Sequence, residues 1–148
     1  MKLEELVYNF RKAIEQAKQN GEPSYYFRKF PTGQCGITSD MLCQYLIDEG
    51  FSNIEYVNGT YYPDAPEEPQ SHTWLIVEGA VVDITADQFK HADPPLRCDI
   101  PVYVGPMSDY YQIFEIRPGG QHLHDGLSKE WSNYRELKAN YETILKYL

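Results

Sequence analysis

At 148 residues the chain is long enough for one domain, residues 1–148, to bury a core without disulfide staples, and 42% hydrophobic with 24% charged residues is ordinary globular usage that excludes wholesale disorder. Thirteen Lys and Arg against 22 Asp and Glu leave a net charge of −9, which repels phosphate backbones and anionic lipid; no nucleic-acid or membrane partner is expected, whereas a basic protein or peptide suits the charge. The acidic, periodic start Met1-Lys2-Leu3-Glu4-Glu5-Leu6 lacks the basic and apolar regions of a secretory signal, no apolar run approaches a membrane span, and three cysteines without a CxxC pair suit a reducing compartment. A cytoplasmic address is expected, with signal-independent export left open.

Leu3, Leu6, Val7, Phe10, Ala13, Ile14 and Ala17 recur at helical spacing before Asn20-Gly21, which predicts a first helix of about 17 residues. The aromatic and basic stretch Pro23 to Pro31 shows neither helical nor strand period and reads as a loop leading to Cys35. From Ile37 to Glu49 one apolar stripe predicts a second helix, capped by Thr38 or Ser39 and closed by Gly50, so Cys35 lies at a helix N-terminus. Ile54 to Val57 and Thr60 to Tyr62 flank Asn58-Gly59, a hairpin signal, and Pro63 to Pro69 is an acidic Pro-rich loop that cannot continue a central strand. His72 to Val77 and Ala80 to Thr85 read as strands joined at Glu78-Gly79, with further strands at Pro101 to Val104 and Tyr110 to Ile116 around a turn-rich stretch. From about Ser128, Trp131, Tyr134, Leu137, Tyr141, Ile144, Leu145 and Leu148 share a helical face. Helices at both ends of a run of hairpin-linked strands predict an α+β fold.

The chemistry-bearing residues fall along this frame in a particular order. A cysteine attacks as its thiolate, and the unpaired N–H groups of a helix N-terminus favour that anion and can also hold the oxyanion of an attacked carbonyl. Gly33 and Gly36 leave the approach to Cys35 free of side chains. A two-residue turn at Glu78-Gly79 sets Trp74 opposite Asp83 and His72 opposite Thr85, all on one face; His72 and Asp83 are then diagonal neighbours at roughly 7 to 8 Å between backbones, within reach of an imidazole–carboxylate pair. The carboxylate would fix the ring tautomer and stabilise its charged form. Cys43 reads as a packing residue and Cys98 as a surface thiol. His122-x-His124 beside Asp125 lacks further ligands at motif spacing, so no metal and no cofactor are expected.

Gly33-Gln34-Cys35-Gly36 before a helix, His72-x-Trp74 on a strand, and Asp83 with Thr85 on the next strand resemble the transglutaminase-like branch of the papain-like cysteine superfamily, and Asp83-Ile84-Thr85-Ala86-Asp87-Gln88-Phe89 is similar to small bacterial papain-like proteins and toxin deamidase domains. The resemblance implies a helix carrying the nucleophile packed on an antiparallel sheet, with extra terminal helices here. It also implies Cys35 as nucleophile, His72 as general base and Asp83 as orienting acid. The sequence departs from that pattern where an aromatic commonly follows the nucleophile, which is Gly36 here, and where the papain-type oxyanion glutamine falls on Lys29; Gln34, Gln88, Tyr25 and Tyr26 are the candidate replacement donors. The expected function is cysteine-dependent acyl transfer on amide carbonyls through a thioester: glutamine deamidation or transamidation, or peptide or isopeptide hydrolysis. The alternative is a binding or immunity-type protein on the same scaffold.

Overall fold

Apolar residues recurring every three to four positions wind the N-terminal segment into α1 (Leu3–Gln19), which buries Leu6, Val7, Phe10, Ala13, Ile14 and Ala17. The computed structural model describes residues 2–64 and 66–148; Met1 and Ala65, the latter inside the acidic Pro-rich loop, lie outside the described residues. The elements that follow are α2 (Tyr25–Lys29), α3 (Cys35–Asp48), β1 (Glu55–Tyr61), β2 (Gln70–Val77), β3 (Ala80–Asp83), a 3-10 turn over Ala86–Phe89, β4 (Tyr103–Gly105), α4 (Asp109–Gln112), β5 (Gln121–Leu123) and α5 (Tyr134–Leu145). The strands form one antiparallel sheet in the order β4-β3-β2-β1-β5, and the fold is mixed α+β. Among the described residues no helix is long and apolar enough to cross a membrane.

The sheet is covered on both faces. Leu75, Val77, Val82 and Ile84 pack against α1, α2, α3 and α5, whereas Val57, Trp74 and Val81 pack on the other face against Phe89, Leu96, Tyr111 and Phe114 from the loops and α4. Strand β2 is therefore buried on alternate residues of both faces, which places His72 and Thr73 at full burial although they are polar. The Glu78-Gly79 connection has φ of +51° and +79°, as a type I′ hairpin requires, and it pairs Leu75 with Val82, Ile76 with Val81 and Val77 with Ala80. This is the register read from the sequence.

Six expectations are corrected. Asn58-Gly59 is no hairpin: both lie inside β1, where Asn58 Nδ2 donates to Thr73 Oγ1 at 2.8 Å and a Cβ on Gly59 would sit 2.7 Å from Phe114 Cβ, so close approach rather than a turn selects the glycine. The true connection from β1 to β2 is the Pro-rich loop. The stretch before Cys35 contains the single-turn helix α2, whose Ser24 Oγ accepts from the Tyr26 N–H, a segment too short for a period to register. Tyr110 to Ile116 is no strand; Tyr111 and Phe114 are buried at helical i, i+3 spacing in and just after α4, and β-propensity of the aromatics misleads there. Finally, α3 starts two residues earlier than expected, at Cys35 itself with Gln34 as N-cap, and α5 starts at Tyr134 rather than Ser128, leaving Leu145 and Leu148 exposed. Thr38 faces inward, bonding Tyr26 Oη at 2.7 Å instead of capping.

Candidate active site

Cys35 is the first residue of α3, so the amide N–H groups of its opening turn lack intrahelical acceptors and the positive end of the helix falls at this residue. Helix α3 packs across β2. The β2–β3 ladder ends at Leu75–Val82, so at His72 and Thr73 the β2 edge is free of β3, and there Cys35 comes within hydrogen-bonding reach of His72, Gln88 and Thr73. Burial alone raises the Cys35 thiol, but the hydrogen bond and charge of His72, joined by Gln88 and Thr73, bring it below its ordinary value.

His72 is fully buried among Trp74, Phe89 and Phe114, with ring centroids 5.4 to 5.6 Å away. Its Nε2 lies 2.6 Å from Asp83 Oδ2, and its Nδ1 lies 3.2 Å from Gln88 Nε2 on the side of Cys35. Burial pushes His72 towards neutrality, yet the charge and hydrogen bond of Asp83, reinforced by Cys35, push it up to about 9. Asp83 in turn accepts from the Thr85 N–H at 3.0 Å and from Tyr111 Oη at 2.8 Å. Burial opposes its ionisation, but His72 and these donors hold the carboxyl below its usual range, while Tyr111, raised by burial and by Asp83, stays a phenol that donates.

Gln88 is the donor that faces the thiol. Gly33, at φ +69° where glycine is favoured, directs its N–H to Gln88 Oε1 at 3.1 Å, which leaves the Nε2 end turned towards Cys35 and His72. Of the other candidates, Tyr26 is bonded to Thr38 and Tyr25 is exposed beside Arg28 and Lys29, while Gln34 is buried at the N-cap. Tyr56 carries no sequence signal for the role it takes here. Its hydroxyl pairs with Thr73 and feels the charge of Cys35, and it lies 3.2 Å from where a Cβ on Gly36 would be, so a side chain after the nucleophile would press on it. Nothing local in β1 announces that contact; it depends on how α3 crosses the sheet.

Cys43, Cys98, His122 and His124 lie outside this arrangement. Cys43 is buried, donates to the His124 carbonyl at 3.5 Å and has its thiol pushed up to about 12 by burial, and the half-buried Cys98 is also raised by desolvation. His124 is held by Asp40 Oδ1 at 2.8 Å and by the Gly126 N–H at 2.9 Å, while exposed His122 stacks on Tyr56 at 5.3 Å. Among the described residues no group of three His, Cys, Asp or Glu is arranged to hold a metal.

A cleft of about 430 Å³ is lined by Gln88 together with Tyr61, Pro63, Glu67, Glu68 and Gln70, so the acidic Pro-rich loop and Gln88 share one depression, whose lining does not include Cys35 or His72. A thiol at a helix N-terminus, an imidazole bonded at one nitrogen to a carboxylate and facing the thiol with the other, and an aimed amide donor form an arrangement able to carry out nucleophilic attack on a carbonyl. No protein-family model, no curated protein and no solved structure matches this chain.

Proposed function

We propose that this protein is a cysteine-dependent acyl-transfer enzyme acting on amide carbonyls, on a papain-like, transglutaminase-like scaffold, with glutamine side chains of a protein or peptide as the leading substrate. The observation that carries this reading is the setting of His72: Asp83 Oδ2 holds Nε2 at 2.6 Å and leaves Nδ1 to the Cys35 thiol, with Gln88 Nε2 3.2 Å from Nδ1 as a donor that serves Nδ1 while the ring is neutral and the thiolate once the ring is charged. In the first half-reaction the Cys35 thiolate adds to the carboxamide carbon, and the oxyanion is taken by the Cys35 N–H and Gln88 Nε2. The imidazolium then gives its Nδ1 proton to the nitrogen, and ammonia leaves as the thioester forms. In the second, neutral His72 removes a proton from water or an amine, which adds to the thioester; the thiolate leaves and the ion pair is restored. Water gives deamidation, an amine gives transamidation, and a backbone or isopeptide amide in place of the carboxamide gives proteolysis.

The test is mass spectrometry of the protein incubated with casein, alone and with cadaverine. A gain of about one mass unit per glutamine marks deamidation, a cadaverine adduct marks transamidation and new termini mark peptide hydrolysis; none of these, with Cys35 alkylated by iodoacetamide no faster than Cys98, would favour a binding protein instead.

The proton inventory fixes the pH dependence. Thiolate and imidazolium coexist between the depressed thiol value and the His72 value of about 9. The turnover rate is expected to rise through the first and to decline above about 9, where His72 no longer carries the proton the leaving nitrogen needs. A pH–rate profile still rising past about 10 would contradict this assignment.

Substrate preference is assigned to the acidic loop, whose Asp64, Pro66, Glu67 and Glu68 are exposed. Deleting residues 64–68 is expected to reduce kcat/KM for a basic peptide by about tenfold at low salt while leaving Tm nearly unchanged, because the loop acts on the substrate's charge and does not support the core. Parallel loss of Tm and of activity towards every peptide would contradict it.

A further inference from the structure

Arg11 is a buried cation on α1, remote in sequence from every residue of the site, and five hydrogen bonds converge on its guanidinium. Nη1 and Nη2 hold Asp87 Oδ1 and Oδ2 in a two-pronged grip at 2.8 and 2.7 Å; Nη1 also reaches the Ile84 carbonyl at 2.7 Å and the Pro101 carbonyl at 3.3 Å, and Nε pairs with Glu15 at 2.7 Å. The guanidinium carbon also lies 4.8 Å from the centre of the Phe30 ring. One side chain thus fastens two loops. Ile84 to Asp87 lies between Asp83 and Gln88, and Phe30 begins the run through Pro31 and Gly33 to Cys35. Those loops meet each other in the Gly33 to Gln88 hydrogen bond, the contact that turns the glutamine amide towards the thiol and the imidazole.

We propose that Arg11 is a positioning residue: by gripping Asp87 and Phe30 together it sets the Gly33–Gln88 bond and, through it, the alignment of Gln88 with Cys35 and His72. The inference rests on the reading of Cys35 as an activated thiol. A plain structural ion pair would need only the carboxylate, whereas the grip on the Ile84 carbonyl and the Phe30 ring fixes the backbone leading to each partner of the bond.

The experiment measures the rate of Cys35 alkylation by iodoacetamide from about pH 5 to 9.5, by peptide mass spectrometry, together with Tm. Arg11→Met, Arg11→Lys and Asp87→Asn are compared with Tyr141→Phe, which removes the bond from Tyr141 Oη to Asp48 between α5 and α3 and serves as a destabilised reference away from the thiol. Arg11→Met is expected to slow alkylation at about pH 6 by about 3- to 10-fold with little change at about pH 9, because the thiolate fraction falls up to about tenfold for each pH unit that the thiol rises. Arg11→Lys should recover only part of that rate, since an ammonium lacks the planar fork. In a Gln88→Ala background Arg11→Met should add no further slowing. If Arg11→Met does not fold, Arg11→Lys and Asp87→Asn decide on the same readout. Variants that lose Tm as Tyr141→Phe does but keep the wild-type pH profile, or whose effect adds in full to that of Gln88→Ala, would overturn the proposal. A wild-type Cys35 that titrates as an ordinary thiol would overturn the activated-thiol reading first, on the unsubstituted protein.

Discussion

Cys35→Ala is expected to lower acyl-transfer turnover by at least about 10⁴-fold while moving Tm by no more than a few degrees. The two halves of this expectation have separate causes. Without sulfur no thioester forms, and His72 and the oxyanion donors are left to assist direct attack by water, which they do poorly. Stability changes little because Cys35 is only half-buried at the start of α3 and the turn that leads into it is made by backbone bonds, Gln34 N–H to the Pro31 carbonyl and Thr38 N–H to the Gln34 carbonyl. Removing one partly exposed sulfur gives up a small amount of apolar burial, on the order of 1 kcal/mol. Turnover on casein and a thermal melt, run side by side, decide the matter: a steep fall in Tm with activity preserved would make Cys35 a core residue and end the catalytic reading.

Asp83→Ala carries the largest expected effect on stability, about 3–5 kcal/mol, or a Tm lower by about 6–20 °C for a chain of this size. The carboxylate is completely buried and accepts from His72, the Thr85 N–H and Tyr111, so its removal strands an imidazole and a phenol inside an aromatic shell. The sign of the pH dependence separates the partners. His72 is raised above its unfolded value, so its contribution to folding is complete below about pH 6.5 and fades as pH climbs through about 9; Asp83 is lowered, so its contribution is present above about pH 4 and fades in acid. Wild-type stability should therefore peak between these limits, and in Asp83→Ala both slopes should flatten. Asp83→Asn keeps the shape but turns an NH2 towards either the Thr85 N–H or the His72 and Tyr111 donors, so it should recover only part of the Tm while removing the charge that holds the imidazolium, and Cys35 alkylation at about pH 6 should still slow sharply. Unchanged melting and unchanged alkylation in both variants would contradict the role given to this carboxylate.

Much of this site is legible in the sequence because its parts are local. The two-residue turn at Glu78-Gly79 determines parity, parity puts His72 and Asp83 on one face, and helical spacing after Ile37 puts Cys35 at an N-terminus; each step uses neighbours a few positions apart. What stays hidden depends on crossing geometry. Tyr56 reaches the thiol's surroundings because α3 lies over β1 and β2 at a particular angle, and Arg11 reaches Asp87 because α1 packs beside the segment that follows β3; neither side chain bears a local mark. Gln88 is one of four candidate donors until the Gly33 N–H singles it out. The sequence misleads about the fold where a short-range signal has a second meaning: Asn58-Gly59 serves close packing against Phe114, and Tyr110 and Tyr111 belong to the short helix α4, with Phe114 just after it.

The Glu78-Gly79 turn has a wider consequence. Exposed bends usually tolerate extra residues, but this one acts as the phase-setter for the strand pair, and Glu78 occupies a left-handed backbone position that asparagine or glycine takes with less strain. Inserting one amino acid there would swing the whole of β3 by half a pleat, turn the carboxylate out of reach of the imidazole and silence a centre that the insertion never touches.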